Sequence, residues 1–245
     1  MRAKRKVQRF FRGVKEMTDS HTYVVKKTCP ICGEMSRVIK VKSRLIVEKT
    51  DWDFCTHYRD FDPYYYTIWV CEHCGYAADE NTFLSYIPEK HKSKIGEFLV
   101  QHKVGFKFQP ERGLPEAVAA YKLAIYYAEM IEESLAHRAG LYLKLAWVYR
   151  TGGKDDEEKA MERPYLKKAA ELYTESVMRE RYPIGPMTDS MALYISGACY
   201  YLMGDLEQAT QTLSRLISDL DLRDVDPKLY DRVRDLWQDI REARK

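Results

Sequence analysis

The sequence has no long apolar run and no secretion signal. No stretch reaches the roughly 18 consecutive apolar residues that a membrane-spanning helix needs, and the basic N-terminus lacks the apolar segment of a signal peptide. These absences argue against a helical membrane protein and a secreted one, so we expect a soluble, cytoplasmic protein. Its 245 residues, 45% of them hydrophobic, suffice for one large domain or two small ones.

Acidic residues are also missing from the first fifteen positions, which carry seven basic side chains: Arg2, Lys4, Arg5, Lys6, Arg9, Arg12 and Lys15. Because the whole chain has a formal net charge of only +3, the rest is mildly acidic, which argues against a surface that binds nucleic acid throughout. Residues 1–15 could contact nucleic-acid phosphates or an anionic membrane surface. A solvated tail, or a helix packed on its own protein, is the alternative.

Four of the six cysteines lie in two Cys-x-x-Cys-Gly segments, Cys29–Gly33 and Cys71–Gly75. Two cysteines three positions apart in a tight turn can direct both sulfurs at one ion, and the following glycine permits the turn. In a reducing cytosol this spacing indicates metal rather than disulfide, and soft thiolates favour zinc over magnesium or calcium. We therefore predict one structural Zn²⁺ bound by Cys29, Cys32, Cys71 and Cys74, with two unrelated redox or structural pairs as the alternative.

β-branched and aromatic residues surround the cysteine segments and predict strands. We expect three strands, the last leading directly into the second cysteine pair, at Arg37–Lys42, Arg44–Glu48 and Tyr64–Val70. A helical pattern begins after an interruption at Pro110, Gly113 and Pro115. A small β-rich, zinc-ribbon-like module therefore precedes a helical region.

The C-terminal half repeats a pattern of small and large residues at helical spacing. The pattern has two helices per repeat. Copies of the second helix begin at Ala117, Ala169 and Ala209, and in each the next pattern residues follow after four and then three positions. Copies of the first helix begin at Tyr142 and Leu193. The pattern resembles a tetratricopeptide repeat, in which paired antiparallel helices interlock. Charged residues 154–159 interrupt it, and Asp226 with Pro227 predicts the start of a final helix.

Repeats of this kind usually bind extended peptides or helices along a concave face, so we expect a protein partner. Aromatic candidates for that face, each of which could equally belong to the core, are Tyr126, Tyr127, Tyr142 and Trp147. The alternative is an ordinary helical bundle with no binding role.

These patterns predict an α+β fold with four parts. They are a basic N-terminal arm at 1–27, a zinc-ribbon-like module at 28–88, a transition segment at 89–113 and an all-α, tetratricopeptide-like helical domain at 114–245.

The segment between the cysteine pairs holds a second group of reactive side chains. On an extended chain, the side chains on one side would be those of Asp51, Asp53, Cys55 and His57. Two carboxylates, a thiol and an imidazole could bind a second metal or ligand, or carry acid–base chemistry. The alternative is that the neighbouring aromatic residues pack on the module while this polar set faces water or hydrogen-bonds a loop.

The chain also resembles a known family, over about residues 24–220. The segments that carry the likeness are Cys29–Gly33, Asp51–Cys55, Tyr58 to Tyr66 and Trp69–Ala77. They resemble a bacterial family catalogued as domain of unknown function 2225. The resemblance implies a bacterial cytoplasmic protein in which a zinc module is fused to a tetratricopeptide-like region, and it supplies no reaction.

Three functional hypotheses follow from the sequence. The leading one is a zinc-binding, non-enzymatic adaptor whose helices hold a protein partner. An alternative is a nucleic-acid-binding zinc-ribbon protein that uses the basic arm. A second alternative is a metal-dependent enzyme with its site at Asp51–His57, which requires those side chains to converge at a pocket.

Overall fold

A computed structural model describes residues 21–102 and 107–245. Residues 1–20, and with them the segment proposed to contact nucleic acid or a membrane, lie outside the described residues. Within the described ranges the chain forms short antiparallel strands followed by packed helices, which confirms the predicted combination of a small β module and a helical domain.

The strands pair as three antiparallel hairpins: β1 (Thr22–Thr28) with β2 (Met35–Val41), β3 (Val47–Thr50) with β4 (Thr56–Tyr58), and β5 (Ile68–Val70) with β6 (Ala77–Asp79). The tips of the first and third hairpins carry the cysteine pairs, and the tip of the second carries residues 51–55. Strand β1 begins inside the segment predicted as a basic arm. The module therefore presents three loops of chemical interest.

Two strand predictions need correction. The strand expected at Tyr64–Val70 is a 3-10 helix over Pro63–Tyr66, and strand β5 starts only at Ile68. The reason is local, because Asp62 accepts the N–H of Tyr64 and proline occupies the first helical turn. The strand expected at Arg44–Glu48 begins only at Val47 and runs to Thr50.

The first helix lies inside the segment predicted as the zinc-ribbon-like module, and the second lies inside the segment predicted as a transition. The helices are α1 (Glu80–Leu84), α2 (Glu89–His102), α3 (Leu114–Met130), α4 (Leu135–Gly152), α5 (Asp156–Ala160), α6 (Glu162–Arg179), α7 (Asp189–Leu202), α8 (Leu206–Ile217), α9 (Leu220–Val225) and α10 (Pro227–Ala243). Side-chain caps start several of them; Asp226, for example, accepts the N–H of Leu229, which confirms the predicted start of the final helix. No helix among the described residues is long and apolar enough to cross a membrane.

Long helices pack against the next long helix along the chain: α3 on α4, α4 on α6, α6 on α7, α7 on α8 and α8 on α10. The short α5 occupies the charged interruption. In the α7–α8 pair, a Cβ on Gly197 would lie 2.6 Å from Cγ of Leu213, so only glycine permits this approach. The turn between these helices contains Gly204, whose φ is +77°. The assignment of these pairs to the tetratricopeptide type stays a prediction.

Two clusters of buried apolar side chains form the core. One joins the module to α3 and α4, through residues such as Trp69, Phe83 and Tyr121. The other fills the space between α4 and α6 to α10, and it includes Cys55 from the second hairpin tip. The core therefore crosses the boundary predicted near residue 113, and the module lies directly against the helices.

Candidate functional site

The four cysteines of the two Cys-x-x-Cys segments converge at one point. The Sγ atoms of Cys29 and Cys74 are 3.7 Å apart, those of Cys32 and Cys71 are 3.8 Å apart, and all four lie within 4.8 Å of one another. Four sulfurs bound to one zinc ion at about 2.3 Å would lie about 3.8 Å apart along each edge of a tetrahedron. The side chains therefore have a geometry that can hold a metal ion.

The two cysteine turns have the same backbone geometry. The N–H of Gly33 donates to the carbonyl of Cys29 at 3.0 Å, and the N–H of Gly75 donates to the carbonyl of Cys71 at 2.9 Å. Both glycines have positive φ, 78° and 83°, which a side chain would strain. Each turn thus directs two sulfurs toward the same point, as the spacing predicted.

Burial and mutual hydrogen bonding change the acidity of these thiols. Thiol hydrogen bonds from Cys29 and Cys74 hold the pKa of Cys71 well below its ordinary value. The interaction with Cys71 raises the pKa of Cys29 to about 12, and interactions with Cys29 and Cys71 raise that of Cys74 further. A bound cation would favour the thiolate form of all four cysteines.

Contacts around the second cysteine turn connect it to the first hairpin and to the helices. The N–H of Glu72 donates to Oγ of Ser36, and the carboxylate of Glu72 pairs with Arg37 at 2.6 Å. On the other side, the hydroxyl of Tyr127 in α3 donates to the carbonyl of Gly75 at 3.2 Å. The candidate metal centre is therefore joined to the helical domain through the backbone of one of its turns.

The second hairpin tip forms a tight loop rather than an extended strand. The N–H of Asp51 donates to the carbonyl of Cys55 at 2.8 Å, and Phe54 has a positive φ of 67°. The four side chains expected on one side of an extended chain are therefore arranged differently. Asp51, Cys55 and His57 have potential ligand atoms within 4.8 Å of one another, whereas Asp53 is not part of that group.

Arg150, near the end of α4, pairs with carboxylates of this loop. Its Nη1 lies 3.0 Å from Asp51 Oδ2, and both of its terminal nitrogens bond Asp53, at 2.9 and 2.8 Å. Its Nη2 also bonds Glu162 of α6 at 2.6 Å. Asp53 is fully buried, and its Oδ2 accepts a further bond from the indole N–H of Trp147 at 2.8 Å. A guanidinium therefore lies directly beside both carboxylates.

A second arginine binds the backbone of the same loop from the final helix. Nη2 of Arg232 in α10 donates to the carbonyls of Asp51 at 3.0 Å and Trp52 at 3.3 Å. Its guanidinium lies 4.5 Å from the ring centroid of Phe54, a cation–π contact. Tyr194 of α7 also donates to the Trp52 carbonyl, at 2.9 Å. Three separate helices thus hold the loop.

The acidity of this loop reflects those contacts. Burial raises the pKa of Asp51, but hydrogen bonds from His57 and Lys49 and the charge of Arg150 outweigh it, so the net pKa is below the ordinary value. Burial raises the pKa of the Cys55 thiol far above its usual range, so Cys55 is not a ready thiolate nucleophile. The two aspartates of the loop therefore form ion pairs that join the module to the helices.

Neither arginine was singled out from the sequence. Arg150 lies 97 positions from Asp53 and Arg232 lies 181 positions from Asp51. The sequence contains only an indirect signal for these contacts. Four reactive side chains within seven residues need bonding partners, but no local pattern identifies the partners.

The four aromatic residues expected on a partner-binding face differ in exposure. Tyr127 and Trp147 are buried, and both make hydrogen bonds to the module. Tyr142 is partly buried and donates to Glu129 at 2.7 Å, and Tyr126 is 46% exposed and packs on Phe98. Tyr126 is therefore the most exposed of the four.

A hollow of about 350 Å³, here called the helical hollow, lies on the helical domain beside the second hairpin tip. Its walls come from α4, α6, α7, the loop before α7, the Asp51–Cys55 loop and the junction of β6 with α1; they include Phe54, Gly140, Trp147, Tyr173, Met187 and Ile195. Its volume is at the lower end of the range of about 300 to 1,000 Å³ that is typical of ligand pockets.

Comparison with known proteins finds one family. The family model described as "Uncharacterized protein conserved in bacteria (DUF2225)" matches residues 23–240. The match agrees with the resemblance read from the cysteine segments and the Asp51–Cys55 segment. No curated protein and no solved structure matches the chain.

Proposed function

We propose that the chain, which belongs to the bacterial family DUF2225, is a zinc-binding, non-enzymatic adaptor for a protein partner. One structural zinc ion at Cys29, Cys32, Cys71 and Cys74 stabilises the β module. The module in turn stabilises one side of a helical surface that receives the partner.

The observation that carries the metal part is the convergence of four sulfurs at tetrahedral edge distances. Thiolates prefer zinc among the metals commonly available to proteins, and four of them fill a tetrahedral shell. Such a shell has no open position for substrate or water. Its contribution is therefore to folding, on the order of 10 kcal/mol by analogy with zinc peptides.

The helical hollow supports the partner part. Stacked helices usually offer their inner surface to an extended peptide or helix. The helical domain here has a largely apolar hollow with walls from α4, α6 and α7. The nucleic-acid alternative rests on residues 1–15, which lie outside the described part of the chain, so no structural observation favours it.

We assign the Asp51–His57 segment a structural role. A second metal ion would have to compete with Arg150 for Asp51, and the most buried carboxylate, Asp53, is already saturated by Arg150 and Trp147. Cys55 is buried with a raised pKa. These contacts favour an anchor between module and helices over a catalytic centre.

Affinity capture tests the adaptor proposal. With the full chain as bait in a bacterial lysate, we expect one protein to be enriched reproducibly over a tag-only control. A Cys74→Ser chain should lose that protein, because loss of the metal loosens the module beside the helical surface. Equal recovery by the tag-only control would contradict the proposal.

A further inference from the structure

The helical hollow adjoins a second hollow on the module. The second, here called the module hollow, has a volume of about 390 Å³ and lies between β2, the 3-10 helix and the start of α1. Three residues line both hollows: Asp79, Asn81 and Lys144. The two hollows are therefore adjacent, with these three residues at their common boundary, and together they are here called the groove.

Lys144 of α4 is the charged side chain of this groove that lacks an ion-pair partner among the described residues. It is partly buried, and among the described residues it has no hydrogen bond and no ion pair. Every other charged side chain of the lining is engaged. Lys40 pairs with Glu80 at 2.7 Å, Asp53 bonds Arg150, and Asp79 caps α1 while lying 3.5 Å from His137. A partly buried ammonium without an anion favours a ligand that brings one.

Gly140, one turn before Lys144 on α4, supplies a second and independent observation. A glycine inside a helix is destabilising relative to alanine, so its presence usually has a packing or functional reason. Packing does not require it here, because a Cβ at Gly140 would meet only the Tyr173 hydroxyl, at an ordinary 3.5 Å. The bare backbone faces the helical hollow and permits a ligand to approach closely.

The remaining walls match an extended peptide. Leu143, Tyr173 and Ile195 form an apolar floor in the helical hollow. The side-chain amide of Asn81, at the boundary of the two hollows, has no partner among the described residues, and an amide can both donate to and accept from a peptide backbone.

We infer that the groove binds an extended peptide segment of a partner protein that places an apolar side chain in the helical hollow and an acidic side chain against Lys144. The inference rests on the proposed adaptor function and names its surface and the chemistry of its partner. Lys144 in the groove, rather than the exposed aromatic residues, determines the specificity of binding.

Panning a random-peptide display library against the full chain tests the inference. We expect the enriched peptides to share a carboxylate next to an apolar residue. Their Kd, measured by fluorescence polarisation, should rise about tenfold in Lys144→Gln, since a charge-assisted hydrogen bond of about 1.5 kcal/mol is lost. The neutral counterpart, with Asp or Glu replaced by Asn or Gln, should bind both chains equally. Lys122→Gln, at an exposed lysine of α3 outside the groove, is the control and should not change the Kd.

Gly140→Ala gives a second readout. It should raise the thermal midpoint of unfolding and weaken peptide binding, a combination that a damaged fold would not produce.

Several results would overturn the inference while leaving the adaptor proposal in place, provided that lysate capture still recovers a partner. They are enrichment of peptides without acids, no enrichment at all, and an unchanged Kd in Lys144→Gln. A concentration-dependent dimer that Lys144→Gln abolishes would instead assign the groove to a second copy of the chain. Failure of lysate capture itself counts against the adaptor function.

Discussion

Asp53 shows how the module and the helices are joined at the scale of single residues. Its carboxylate is fully buried, and it is neutralised by Arg150 and bonded by Trp147. A buried ion pair contributes little net stability over an apolar replacement, but removal of one partner leaves an uncompensated charge. Specific attachment of the loop is therefore the main consequence of the pair.

Replacing Arg150 by methionine tests this attachment. Arg150→Met leaves Asp51, Asp53 and Glu162 close together without their shared cation, so we expect the free energy of unfolding to fall by about 3–5 kcal/mol. Urea denaturation measures it. Arg179→Met, at an exposed arginine paired with Glu175, is the matched control and should change stability by less than about 1 kcal/mol. Similar losses in the two variants would contradict the account.

The raised pKa of Asp62 predicts an unusual pH dependence of the free energy of unfolding. Its carboxylate accepts bonds from Thr151 and from the N–H of Tyr64, but burial dominates and raises its pKa. An acid whose folded pKa is raised costs stability at neutral pH, and that cost disappears as pH falls through the folded pKa toward the unfolded value of about 3.9.

Asp62→Asn should remove this pH dependence. An amide retains an oxygen acceptor for Tyr64 and carries no charge, so we expect equal or higher stability than wild type at pH 7 and convergence of the two proteins toward pH 4. Chemical denaturation across that pH range measures the difference. A variant that is less stable at pH 7 by the same amount as at pH 4 would show that ionisation of Asp62 has no part in it.

The spacing of the four cysteines predicted their convergence but not the residues that surround them. The spacing of Cys29, Cys32, Cys71 and Cys74 is local, so a short sequence segment already determines each turn. The partners of Asp51 and Asp53 come from helices far along the chain, and no local pattern encodes such pairs. The side chains of 51–57 could be recognised as unusual, whereas their pairing depended on tertiary structure.

At the scale of elements, two helical glycines differ in whether helix packing requires them. Gly197 and Gly140 both lie within helices, but a Cβ on Gly197 would collide with buried Leu213, whereas one on Gly140 would make an ordinary contact. The first glycine is required by the approach of α7 to α8. The second is not required by any helix packing.

The two alanine substitutions should therefore act in opposite directions. Gly197→Ala should lower the free energy of unfolding by about 1–3 kcal/mol through overpacking, and Gly140→Ala should raise it by up to about 1 kcal/mol through helix propensity. Thermal and urea unfolding of both variants test this. Stabilisation by Gly197→Ala would mean that α7 and α8 are less closely packed than the distance to Leu213 indicates.

Elements were predictable where a periodic pattern extended over several turns. The α7–α8 pair and the final helix followed from the spacing of Leu193, Gly197 and Ala209 and from Asp226 with Pro227. The segment Tyr64–Val70 was misassigned because its aromatic residues favour strands, whereas the Asp62 cap and Pro63 start a short helix. Local capping outweighed propensity over those few residues.

At the scale of the whole molecule, the candidate metal centre and the helices share a core. The cluster that contains Cys29 and Cys71 also contains Tyr127 and Leu145 of the helices. Tyr127 additionally bonds the carbonyl of Gly75 in the second cysteine turn. This continuity could not be read from the sequence, where the prolines and Gly113 indicated a boundary.

Metal removal should consequently affect both parts together. With a zinc chelator we expect the thermal midpoint of the helical signal in circular dichroism to fall, because the two parts share apolar contacts. A chain kept without chelator is the control. A helical transition that stays at its original temperature in the presence of the chelator would show that the helices fold independently of the module.

The central claim is that the four cysteines hold one structural zinc ion and that the Asp51–His57 segment holds none. Native mass spectrometry with elemental analysis of the full chain tests it most directly, in wild type, Cys71→Ser and Cys55→Ala. We predict one zinc per chain in wild type and in Cys55→Ala, and none in Cys71→Ser. Zinc that survives Cys71→Ser, a wild type without zinc, or two ions that fall to one in Cys55→Ala would contradict the account.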